Sequence, residues 1–171
     1  MNVPEAARTL DSLWAEAQGE GGLARFLTFK LHGQIYGIPV TTVLEIVRSR
    51  RIRPVPGTPD FIGGVINLRG KVIPVVEVRL RLELPPKPHD ERTCIVMTQC
   101  RGQVVGLIVD DVRNVLGLPD ARIERHTPRD GGGQGRFISG FGIVENQVRI
   151  LLDLERLLYD GWPSEHGGSG A

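Results

Sequence analysis

The sequence predicts an all-β chain folded as two related small units, and three observations lead there. From Phe26 onward the apolar residues fall in short, β-branched runs (FLTFKL, QIYGIPV, GVINL, KVIPVVEV) separated by glycine or proline. After PPKPHDER at 85–92 a second set begins, with RTCIVMTQ, QVVGLIVDDV, RFISGFGIV and QVRILLDL. The second set aligns with the first, which marks an internal repeat.

Taken in order, residues 1–24 form an N-terminal arm. Leu10, Leu13, Trp14 and Ala17 stand at helical spacing there, and GEGG at 19–22 ends the pattern, so a short amphipathic helix is expected. His32 and Gly33 should turn the first hairpin. TTVLEIV suits either a strand or a brief helical turn. RSRRIRPVPGTPD is basic and proline-rich; proline cannot donate to a sheet ladder, so this segment should follow an edge or a loop. GGVINLRGKVIP at 63–74 reads as strand, tight turn, strand. Residues 118–135 are expected to be a long exposed connection, 153–160 (DLERLLYD) a closing helix, and 161–171 a frayed tail. The first unit then covers about 25–84 and the second 92–152, with strand exchange between them allowed.

The repeat has two blocks. GQIYGIPVTTV at 33–43 lies over GQVVGLIVDDV at 102–112, and residues 61–82 lie over 137–158. Phe61, Ile62, Gly64, Val72 and Leu82 have identical mates in Phe137, Ile138, Gly140, Val148 and Leu158. Units of about 60 residues are near the lower limit for an independent core, so the two should share an interface with a groove between them.

Composition narrows the function. Lys+Arg number 21 against 20 Asp+Glu, for a net charge of +1, which gives no global attraction to nucleic acid or anionic lipid. Aromatic residues are 5%, too few for a base-stacking surface. Cys94 and Cys100 have no CxxC partner, so neither a disulfide scaffold nor a zinc site is expected. The first residues do not read as a signal peptide, and no apolar run approaches the ~20 residues of a membrane-spanning helix.

Catalytic chemistry finds little support. Asp110 and Asp111 are adjacent, so in a strand they point to opposite faces. His32, His89, His126 and His166 lack metal-site spacing, there is no GxSxG, and GGGQG at 131–135 lacks the GK[ST] of a phosphate loop. No catalytic, metal or cofactor site is expected. The informative charges are Arg69, beside the turn glycine Gly70, and Glu45, inside the apolar VLEIV. Their repeat mates are Glu145 and Asn114, so both charges belong to the first unit alone. Arg69 can grip an anion, pair with Glu45, meet a partner's carboxylate, or simply face water.

FLTFKLHGQIYGIPVTTVLEIV, PVPGTPDFIGGVINLRGKVIPVVEVR and VVGLIVDDVRNVLGL, followed by FISG and ILLDLERLL, closely resemble the CheW-like coupling proteins of bacterial chemotaxis over residues 25–160. The resemblance implies two SH3-like five-stranded β-barrels packed side by side, with short N-terminal and C-terminal helices. It also implies a cytoplasmic adaptor without catalytic activity or cofactor, monomeric when isolated and recruited to receptor arrays at the inner face of the membrane. Its partners would be the cytoplasmic tip of methyl-accepting chemoreceptors and the regulatory domain of the histidine kinase CheA, with no nucleic acid and no direct membrane insertion. The same contacts would serve flagellar chemotaxis or a related output such as twitching motility; an RNA-binding β-barrel is the distant alternative. Family positions tied to receptor coupling fall on Val43, Glu45, Gly64 and Arg69. Exposed Val43 or Ile46 is expected to offer apolar contact at the receptor-binding surface, with Glu45 and Arg69 setting register.

Overall fold

Four two-residue turns organise the chain. At His32-Gly33, Arg69-Gly70, Arg101-Gly102 and Glu145-Asn146 both central residues have positive φ, between 49° and 83°. Turns of this hand match the right-handed twist of paired strands. The computed structural model describes residues 22–48, 51–127 and 133–161; the expected helix around Trp14 and the tail from 162 lie outside these.

The first turn joins β1 (Ala24–Leu31) to β2 (Gln34–Pro39). A 3-10 turn at Val40–Thr42 then leads into β3 (Val43–Arg48), so TTVLEIV is both a helical turn and a strand. The second turn joins β4 (Ile62–Leu68) to β5 (Lys71–Glu77), followed by the one-turn helix α1 (Val78–Arg81). The second half repeats the series with β6 (Cys94–Cys100), β7 (Gln103–Val109), β8 (Asp111–Leu118), β9 (Ile123–Arg125), β10 (Ile138–Val144) and β11 (Gln147–Leu152). Helix α2 (Leu154–Tyr159) closes the described chain, its N-terminus capped by the Asp153 carboxylate accepting from the Arg156 N–H. β9 lies inside the segment expected to be an exposed connection; Ile123, 8% exposed, anchors it.

Each sheet draws strands from both halves. The five-stranded sheet runs β3-β6-β7-β5-β4 and the six-stranded sheet β8-β1-β2-β11-β10-β9. The β6–β7 hairpin joins the first half's sheet along a parallel seam, with Val75 opposite Gly106; the β1–β2 hairpin joins the second half's sheet with Leu151 opposite Gly37. These two register pairs are repeat mates of each other.

The expected pair of five-stranded barrels is not what forms. Both sheets are mixed and open, one has six strands, and neither closes into a barrel. Closure requires a backbone ladder between first and last strands. In the five-stranded sheet the outer edge of β4 is already taken: Arg53 and Val65 exchange both backbone hydrogen bonds at 2.9 Å. Among the described residues β3, at the other end, pairs with β6 alone. In the six-stranded sheet the matching place beside β10 is filled by β9, while β8 at the far edge pairs, among the described strands, only with β1.

The core follows this layout. Ile66, Leu68, Ile73, Val75, Ile95, Met97 and Ile108 fill the inside of the five-stranded sheet with Val47. Phe26, Leu118, Ile123 and Leu151 form a smaller cluster on the six-stranded sheet. The largest cluster takes side chains from both sheets, including Phe29, Tyr36, Val43, Val76, Leu107, Phe137 and Leu157. Sharing that cluster is how two units of marginal size obtain a core.

Two buried arginines tie the elements. Arg79 on α1 grips Asp110, with Nε at 2.8 Å from Oδ1 and Nη2 at 2.6 Å from Oδ2. Arg81 lies between the rings of the repeat mates Phe61 and Phe137, 4.1 and 4.6 Å from their centroids. Its Nε donates to the Leu157 carbonyl at 2.7 Å, and Nη2 reaches the Arg156 and Asp160 carbonyls. Burial, with the nearby Arg136 charge, lowers its pKa to about 10, so it stays protonated at neutral pH.

Removing one partner of the Arg79–Asp110 pair leaves a buried charge uncompensated. Asp110→Asn should therefore lower unfolding free energy by about 3–5 kcal/mol in urea titrations. Burial pushes the Asp110 carboxyl up, but Arg79 and the His32 N–H more than offset it, leaving it below the usual range. That contribution is complete above the unfolded-state value of about 3.9 and is lost as pH falls through the lower folded-state value. The stability difference between wild type and Asp110→Asn should accordingly shrink in acid; a pH-independent difference would contradict the assignment.

Candidate functional site

Glu45 lies on β3 and Arg69 in the β4–β5 turn, so they belong to strands at opposite ends of the five-stranded order. The sheet curls far enough for them to meet. Arg69 Nη1 donates to Glu45 Oε2 at 2.8 Å and Nη2 to Oε1 at 2.9 Å, a two-pronged pair. The Arg69 side chain is 69% exposed and that of Glu45 30%. Hydrogen bonding to Glu45, reinforced by its charge, raises the Arg69 pKa further. A pair this exposed is screened by water and contributes little to stability. What it does provide is shape, because a planar fork on a carboxylate fixes both side chains.

Local backbone features aim each side chain. The Arg69 end is set by its turn, where the Asn67 carboxamide oxygen accepts the Gly70 N–H at 3.0 Å. The Glu45 end is set by a β-bulge. Pairing with β6 passes from Val43 opposite Thr98 to Glu45 opposite Met97, leaving Leu44 as the extra residue. The repeat mate of Glu45 shows the contrast. Asn114 holds the Thr28 hydroxyl through its side-chain oxygen at 2.6 Å and its N–H at 3.2 Å, so it serves the strand interior.

Gly64 positions the β4 edge. Its φ is +139°, and a β-carbon there would lie 2.7 Å from the Arg53 carbonyl carbon and 3.0 Å from Ile52 Cγ2. Only glycine admits the Arg53 backbone this closely. The residue thereby holds the segment that caps the sheet edge.

The remaining predicted contacts divide. Val43 is 3% exposed and belongs to the large core cluster, so it does not present the exposed apolar surface expected of it, while Ile46 is half-buried and packs against that cluster. Leu44, 41% exposed, was not among the expected residues. Alternation from the buried Val43 would have pointed it outward, but nothing in the sequence marks the bulge.

The other candidates are structural. Asp110 holds Arg79, and Asp111 faces Arg113 at 3.4 Å and Arg92 at 3.9 Å. His89 meets Glu77 at 2.9 Å, and the His126 ring meets the Gly135 carbonyl at 3.2 Å. Arg48 of the basic segment donates to the Glu91 carbonyl at 2.7 Å. Among the described residues no cluster of three His, Cys, Asp or Glu is arranged to hold a metal, and no helix is long and apolar enough to cross a membrane. An open cleft of about 300 Å³ is lined by Ile52, Gly63, Glu77, His89 and Ile108, and includes neither Glu45 nor Arg69.

Comparison with known proteins adds an independent line. The family model described as CheW-like domain matches residues 25–161. The chain is 32% identical over 150 residues to a chemotaxis protein CheW of Klebsiella aerogenes, covering 88% of each chain. It is 35% identical over 127 residues to a chemotaxis protein CheW of Bacillus subtilis, covering 74% of this chain and 80% of that one. Its structure matches the crystal structure of the scaffolding protein TtCheW from Thermoanaerobacter tengcongensis with a TM-score of 0.73 and 31% identity, covering 81% of this chain and 95% of that one.

Gly64→Val should strain the backbone and push Arg53 away, costing about 2–3 kcal/mol. Hydrogen exchange at the Val65 N–H should accelerate well beyond the global loss of stability. Unchanged protection at Val65 would show that the Arg53 contact does not depend on the glycine.

Proposed function

The chain belongs to the CheW-like family, and from that premise we propose that its Glu45–Arg69 patch receives the cytoplasmic tip of a chemoreceptor. The protein is a non-enzymatic adaptor that couples methyl-accepting chemoreceptors to the histidine kinase CheA in chemotaxis signalling, working in the cytoplasm at receptor arrays.

The observation that carries the site assignment is the two-pronged pair itself. It joins two residues that the repeat does not conserve, 24 positions apart, at an exposed rim where it adds little to stability. Glu45 and Arg69 also stand at the family's receptor-coupling positions. A preoriented guanidinium loses less side-chain freedom on binding, which favours a defined docking geometry. Two of its five N–H donors go to Glu45, and the exposed head has others for a receptor carboxylate or carbonyl. Gly64 and Asn67 support the patch from behind by fixing the β4 edge and the turn.

Coupling then needs no chemistry. The receptor tip meets one rim of the five-stranded sheet and the kinase regulatory domain meets other surfaces of the two-sheet body. The shared core makes the two sheets one mechanical unit, so a shift at one contact is felt at the other.

Arg69→Glu places two carboxylates face to face. It should weaken binding of a receptor-tip fragment by roughly tenfold or more, while the thermal unfolding midpoint stays close to wild type. Unchanged affinity in a titration, alongside normal unfolding, would contradict the assignment.

A further inference from the structure

The bulge on β3 decides which side chain stands beside the ion pair. Strict alternation would put Val43, Glu45 and Val47 on one face and Leu44 and Ile46 on the other. The packing is different. Val43 belongs to the large shared cluster and Ile46, three positions later, packs against the same cluster. Val47 belongs to the cluster inside the five-stranded sheet. One extra residue between Val43 and Glu45 reconciles these facts, and the β6 register supplies it at Leu44. Leu44 and Glu45 therefore share a face, the one on which Val47 lies and toward which Arg69 reaches. Their Cα atoms are about 3.8 Å apart, so the exposed Leu44 side chain borders the carboxylate that holds Arg69.

Val72 does not share this position although it is more exposed, at 68%. Its strand neighbour Ile73 points into the five-stranded sheet's own cluster, so Val72 points out of the opposite face. It pairs across the hairpin with Asn67, away from the pair.

We propose that Leu44 is a specificity-determining residue of the receptor contact, the apolar anchor beside a charged clamp. This rests on the reading of Glu45–Arg69 as the receptor site. The matching partner surface is a receptor-tip segment that presents an apolar side chain to Leu44 next to a hydrogen-bonding group that meets Arg69. Continuity with the patch identifies the occupant: any segment that covers the clamp on this face also covers Leu44. An anchor flanked by a polar rim is the arrangement in which a single side chain carries a large share of binding. The bulge is the positioning device, because without it Leu44 and Glu45 would face opposite ways.

The test titrates full-length protein carrying Leu44→Gln, Leu44→Met or Arg69→Glu with a receptor-tip fragment and, separately, with the kinase regulatory domain. Leu44→Gln should weaken receptor-tip binding about five- to tenfold, Leu44→Met should stay within about twofold of wild type, and binding of the kinase domain should not change with either. Receptor binding that survives Leu44→Gln but is lost with Arg69→Glu overturns the proposal and leaves the site reading intact. Equal weakening toward both partners also overturns it, because that is the signature of a disturbed fold. Normal receptor binding by both Leu44→Gln and Arg69→Glu overturns the site reading together with this proposal.

Discussion

The site depends on one close backbone approach, Arg53 against Gly64. The Arg53 carbonyl occupies space that the β-carbon of any other residue at position 64 would need. From there Arg53 exchanges two hydrogen bonds with Val65 and takes the outer edge of β4. β3 and β4 consequently form no ladder, and the five-stranded sheet stays open. An open curl has a rim, and at that rim two side chains make the connection that the backbones do not. The Glu45–Arg69 pair is thus a consequence of incomplete closure, held by side-chain atoms that a partner can also reach.

The same economy governs the whole molecule. Each half is of marginal size for a core of its own, and each lends a hairpin to the other's sheet. The two parallel seams use mated residues in the same register, Val75 with Gly106 and Leu151 with Gly37. Arg81 breaks that symmetry. A single guanidinium stacks between Phe61 and Phe137 and caps carbonyls at the end of the closing helix. Cation–π contact and three carbonyl acceptors hold it, and the nearby Asp160 charge favours its protonated form. The result is a rigid body built from two similar parts, with the charged rim confined to one of them.

Local signals in the sequence carried most of the strands, the first two turns and the repeat, because each depends on neighbouring residues. His32-Gly33 and Arg69-Gly70 read as turns from dipeptide chemistry, and DLERLLYD from its spacing. Barrel closure was misjudged because it depends on what meets an edge across the chain, here Arg53 arriving from a proline-rich connection. β9 was hidden for the same reason: only three residues long, it becomes a strand by pairing with β10. At the site, the repeat comparison singled out Glu45 and Arg69 but left their pairing as one of several options, since 24 residues separate them in sequence. That Leu44 shares a face with Glu45 was out of reach, because a bulge reverses alternation without a residue that announces it.

In the proposed complex the receptor tip packs on the rim spanned by Glu45 and Arg69. The most direct measurement is a map of backbone amide chemical shifts in isotopically labelled protein as a receptor-tip fragment is added. The largest changes should cluster at residues 44–46 and 67–70, while the mated β10–β11 turn around Glu145 stays silent. Changes concentrated on the β10–β11 turn, with a quiet rim, would contradict it.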